Sequence, residues 1–184
     1  VKRIIFTYGT ICGLLMALTV IGIAIFIDKI GFERGSTVSS IGMIVSYLMV
    51  YLGIYRSRET IGGGYIGFRQ AFLTGLFIVA VAALFYAGAE LLQYYVIAPD
   101  ILDKSDAFNL AQAKAAKVTQ DELNKIIEAQ KKMREIVQSP FLNFAVSYTG
   151  ALPFGVFFTL TSSLILRKKD FGPRPTAEEI KPEQ

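Results

Sequence analysis

Residues Gly62–Asp100 read GGGYIGFRQAFLTGLFIVAVAALFYAGAELLQYYVIAPD. No charged residue interrupts Gln70 to Ala89. At about 1.5 Å per residue, a helix of that length crosses a hydrocarbon core of about 30 Å. The stretch is predicted to span a membrane, with a glycine turn and an arginine before it and a polar stripe at its exit. On either side lie three more uncharged runs that approach or exceed the spanning length, Ile4–Ile27, Gly35–Tyr55 and Ser139–Leu166. The expected fold is an all-α membrane protein of four transmembrane helices, at about 4–27, 36–55, 70–97 and 141–166. A helical insertion, 99–139, separates the last two, and the tail 171–184 reads as disordered and cytoplasmic.

Composition agrees with that class. Hydrophobic residues make up 53% of the 184, and the mean hydropathy is +0.46. Both exceed what a soluble domain carries, and the charges cluster between the apolar runs. Lys2 and Arg3 before an apolar run resemble a signal peptide, but the run is longer than the roughly 7–15 residues of a signal core. The first span is expected to be retained. One cysteine and no histidine exclude an internal disulfide, Ser–His and Cys–His pairs, and zinc sites of the usual kind. No metal, cofactor or catalytic residue is therefore expected, and the chain is read as non-enzymatic.

Within span one, Gly9, Gly13 and Ala17 place small side chains on one face, suited to close packing inside the chain, with Cys12 beside them as a small buried hydrophobe. Asp28–Thr37 reads as a short loop. In span two, Tyr47, Tyr51 and Tyr55 share a face at four-residue steps; the deeper two are expected to bond across helices. The next loop carries Arg56 and Arg58, then Gly62, Gly63 and Gly64, then Arg69 at the start of span three. The glycines read first as a tight turn, with a candidate lipid or anion site made by their amides and the arginines at headgroup level as the alternative. The exit of span three places Tyr86, Glu90, Gln93 and Tyr94 on one stripe. A carboxyl at a membrane edge is either a structural anchor or a group that handles protons or cations.

The third loop contains two amphipathic patterns, and Thr119 with Glu122 fits a capping box at the start of the second. Ser139-Pro140 stops that helix. The seven basic residues of 99–139 are matched by seven acidic ones, so no nucleic-acid partner is expected. In span four, Pro153 is expected to kink or widen the helix, and Ala151 with Gly155 to admit a close neighbour. Lys2, Arg3, Arg56, Arg58, Arg69, Arg167, Lys168 and Lys169 crowd membrane edges on one side. Both termini are therefore expected in the cytoplasm and the two-helix hairpin outside.

Several landmarks stand in order along the chain: Gly63-Gly64-Tyr65, Phe68 with Ala71 and Gly75, Tyr94-Tyr95-Val96-Ile97, Pro99-Asp100, Ser139-Pro140-Phe141, and Ser162-Ser163 before a basic stop. In this the chain resembles the bacterial membrane proteins grouped as domain of unknown function 4199. The resemblance implies four spans, an inner membrane typical of Bacteroidota, and an uncharacterised family with no assigned catalytic residues. Three functions are expected in order: a non-enzymatic accessory or scaffold subunit of an inner-membrane complex, a lipid- or headgroup-handling partner of a membrane glycosyltransferase, and a small oligomeric transporter using Glu90. The partners expected are membrane lipids and a membrane protein or a second copy of the chain.

Overall fold

The computed structural model describes residues 1–167. Its helices in chain order are α1 (Lys2–Ile30), α2 (Phe32–Thr60), α3 (Phe68–Leu92), a π-helical turn over Gln93–Ile97, α4 (Ile101–Ala115), α5 (Gln120–Gln138) and α6 (Pro140–Leu166). Four helices are long and apolar enough to cross a membrane: α1, α2, α3 continued through its π turn, and α6. At 27 to 30 residues each, they measure about 40–45 Å, longer than a hydrocarbon core of about 30 Å. Lys168, Lys169 and the tail 171–184 lie outside the described residues.

The expected loop Asp28–Thr37 is not a loop. Helix α1 runs on to Ile30 and α2 begins at Phe32, with Gly31 alone between them. The reversal depends on Gly31 at φ 76°, a left-handed conformation that side chains with a Cβ disfavour. Its amide closes α1 on the Ile27 carbonyl and its carbonyl receives the Gly35 amide, so one residue serves both helix ends.

Lipid tails are as apolar as leucine, so helix association in a bilayer depends on close packing rather than on removing apolar surface from water. The small face of α1 serves this purpose against α3. A Cβ on Gly13 would lie 2.7 Å from Phe85 Cβ. On the other side of α3, a Cβ on Gly155 of α6 would meet Val79 Cγ1 at 2.2 Å. Tyr47, 1% exposed, donates its hydroxyl to the Ala151 carbonyl at 2.7 Å and stacks on Phe158 at 5.2 Å between centroids, joining α2 to α6. Helix α6 runs through Pro153, whose missing N–H leaves the Thr149 carbonyl without its usual helical donor. Hydroxyls within the spans return to the preceding turn, as Thr19 does to Leu15, Ser46 to Gly42 and Thr74 to Gln70, which lets them sit among apolar neighbours.

Between α3 and α6, helix α5 starts with the predicted capping box: the Glu122 amide bonds the Thr119 hydroxyl while the Glu122 carboxylate accepts the Thr119 amide. Ser139 then caps α6, with Pro140 in its first turn. Arg134 on α5 holds Asp103 and Asp106 of α4 at 2.7 and 2.6 Å, and Gln130 donates to the Asp106 carbonyl. The Tyr95 hydroxyl donates to the Val137 carbonyl, joining the π turn to the end of α5.

A carboxylate cavity beneath α4

The polar stripe opens into a cavity of about 260 Å³ where α1 turns into α2 and α3 gives way to its π turn. Tyr86, Glu90, Gln93 and Tyr94 all line it. The π turn sets the last two: its extra backbone width re-aims the side chains that follow, and Gln93 is buried with its carbonyl closing the turn on the Ala98 amide. Such turns recur at functional sites. The phenols of Tyr86 and Tyr94 lie against the half-buried Glu90 carboxyl. Glu90 lies about 11 Å along the helix from the midpoint of Phe68–Ile97, less than half the thickness of a hydrocarbon core of about 30 Å.

The remaining walls come from elements that sequence periodicity did not connect to Glu90. Ser36 and Ser39 face in from the first turns of α2, and Ser105 from α4. Val20, Ile23 and Ile27 of α1 form an aliphatic wall. The only available signal was the three-residue step between Ser36 and Ser39, which puts both on one helix face; pointing that face at Glu90 required the one-residue turn at Gly31.

Helix α4 roofs the cavity through Ile101, Leu102 and Ser105. Two contacts hold it there. The Lys104 ammonium bonds Asp28 of α1 at 2.7 Å and Asp100 at 2.9 Å, and Phe108 stacks on Phe32 of α2 at 5.4 Å. The Asp28 carboxylate, then Asp100, hold the Lys104 ammonium above its ordinary range, and the hydrogen bond from Lys104 holds the Asp100 carboxyl below its own. The Lys104 ammonium is thus committed to Asp28 and Asp100. Among the described residues that line the space none is Lys or Arg, and Glu90 is the single carboxylate.

The glycine turn lies at the opposite end of the bundle. The Gly62 amide bonds the Ser57 carbonyl, Gly64 the Arg58 carbonyl, and Tyr65 the Gly62 carbonyl. A Cβ on Gly62 would sit 1.8 Å from the Tyr65 oxygen, and Gly63 and Gly64 take φ of 57° and 90°. This is the geometry of a helix C-cap, with the Gly62 and Gly64 amides directed at α2 carbonyls. Arg58 is paired with Glu59 at 2.8 Å and lies over the Tyr55 ring at 4.9 Å. Arg56 and Arg69 are exposed, and Arg69 borders an apolar groove shared with Ile5, Leu73 and Phe77. The stripe is thus gathered into one site, whereas the arginine and glycine set is distributed along one edge.

The profile of a family described as a protein of unknown function, DUF4199, matches residues 7–168. No curated protein and no solved structure matches the chain.

Proposed function

The chain belongs to the DUF4199 family of proteins of unknown function, and we propose that within it this protein is a non-enzymatic, multi-pass bacterial inner-membrane component that takes up a small cation at Glu90. The observation that carries the reading is the charge of the cavity: one carboxylate, two phenols, an amide and three hydroxyls, with no basic lining residue. The Glu90 carboxylate, with no basic lining residue beside it, favours a cation over an anion, and the hydroxyl and amide oxygens can accept from the donors of a protonated ligand. An ionisable residue inside a span and facing a cavity is by default a candidate for function.

Orientation follows from the ends of the bundle. Lys2, Arg3, Arg56, Arg58 and Arg69 crowd one end next to the spans, whereas at the other end Lys29, Arg34 and the seven basic residues of 99–139 are balanced by acidic ones. By the distribution of basic residues the first end is cytoplasmic, so the cavity and the α4–α5 pair face the extracytoplasmic side. An accessory-subunit role is compatible with this, with α5 as the docking element: it has no buried residue, and Ile127 is 47% exposed.

Glu90 is the point to test. Dicyclohexylcarbodiimide reacts with protonated carboxyls in apolar surroundings, and its adduct is read by peptide mass. In proteoliposomes, labelling at Glu90 should fall at least fivefold as sodium, potassium or tetramethylammonium is added. Labelling that ignores all three cations would sink the cation reading.

A further inference from the structure

Resting on that reading, we infer that the ligand of the Glu90 cavity is a small organic ammonium with an apolar body, its charged head at Glu90 and its body along the aliphatic wall of α1. The shape and division of the walls carry this. A bare metal ion would leave most of about 260 Å³ to water, since that volume equals the share of about eight or nine liquid waters. It falls just below the roughly 300–1,000 Å³ of pockets that enclose drug-sized molecules, so the occupant is smaller than those.

The walls are also divided by chemistry. Glu90, Tyr86 and Tyr94 gather on the α3 side. Val20, Ile23 and Ile27 present only hydrocarbon on the α1 side, and no ordered water would find hydrogen-bond partners there. A divalent metal is disfavoured further, because no group of three or more His, Cys, Asp or Glu that could hold one occurs among the described residues. An ammonium group needs one carboxylate for its charge, hydroxyl or amide oxygens for its remaining donors, and tolerates phenol faces. Ser36 and Ser39 supply such oxygens across from Glu90.

Two sources deliver that chemistry at a membrane edge: a free alkylamine from the aqueous side, or the ethanolamine headgroup of a phospholipid. The probe is radiolabelled n-butylammonium, bound at equilibrium to the full chain in vesicles of phosphatidylglycerol alone, with empty vesicles subtracted. Saturable binding that drops at least tenfold in Glu90→Gln and a few-fold in Tyr94→Phe is expected. Because Tyr94→Phe retains the carboxylate and the ring, it guards against Glu90→Gln failing to fold. Sodium should compete only at concentrations at least tenfold above those of butylammonium. Competition by phosphatidylethanolamine added to the vesicles would support the same ammonium site and identify the lipid as its source; no competition would support the free amine. If butylammonium shows no Glu90-dependent binding while metal cations still protect Glu90 from the carbodiimide, the ammonium inference is overturned and the cation reading stands. If neither effect is seen, both are overturned.

Discussion

Tyr47 and Glu90 show two ways for a polar side chain to occupy a span. Tyr47 is enclosed, and its hydroxyl has the Ala151 carbonyl as partner. Its ring fills the α2–α6 interface against Phe158. Interhelical hydrogen bonds of this sort average about 0.6 kcal/mol in a membrane, whereas a large-to-small change in a packed site costs about 3–5 kcal/mol. Tyr47→Phe should therefore lower stability by about 1 kcal/mol or less, and Tyr47→Ala by several times as much, measured by denaturant titration in mixed micelles. Equal losses would mean that the hydroxyl, not the ring, holds α2 to α6. Glu90 differs in facing a cavity, and its stripe was legible from the four-residue step to Tyr86 and Tyr94. Ser36, Ser39 and Ser105 were not legible as its companions, because residues on three different helices share no periodicity.

Helix α4 is attached at its ends and by its charges rather than by a large apolar face. Only Ile101 and Ala113 of its residues are buried. Lys104 and Phe108 fix it above the cavity, so Lys104→Met should loosen the roof. Spin labels on Ser40→Cys and Asn109→Cys, in a Cys12→Ala background, should give a broader distance distribution in that variant; an unchanged distribution would show that the Lys104 pairs do not hold the roof. The pH dependence has two limits. Asp100 is depressed from its ordinary 3.8, so its contribution is complete above that value and is lost as pH falls through the lower folded value. Lys104 is raised from 10.5, so its contribution is complete below that value and is lost as pH rises through the higher folded value. The distribution should therefore stay constant between about pH 5 and 9 and broaden only in strong acid or strong base. These groups are exposed, which keeps the effect small. The capping box at Thr119 and the stop at Ser139-Pro140 were readable in advance because each involves neighbours within four residues. The loop expected at Asp28–Thr37 was misread because charge and glycine content suggested a connection, whereas Gly31 alone makes the turn and the charged residues sit on helix ends.

Across the whole chain, the basic residues next to the spans at one end predict which side each surface faces, and one experiment addresses both orientation and docking. In spheroplasts at native expression, Ile127→Cys on exposed α5 should react with a membrane-impermeant maleimide, while Cys12, 0% exposed, should not. Reaction only in inside-out vesicles would reverse the orientation. Reaction several-fold slower in native membranes than in the purified protein would fit a partner covering α5; equal rates would leave that helix bare and remove the docking argument. Span number, helix caps and the polar stripe were determined by the sequence itself, because hydrophobic length and helical period are local properties. The glycine cap of α2 is likewise local, made by backbone bonds from Gly62 and Gly64 to Ser57 and Arg58, whereas tertiary structure alone decided that Glu90 faces an aliphatic wall of α1 beneath α4. That outcome depends on how each helix is rotated against the next. That rotation is set by the close approach at Gly13 and Gly155, the reversal at Gly31 and the widened turn at Gln93–Ile97.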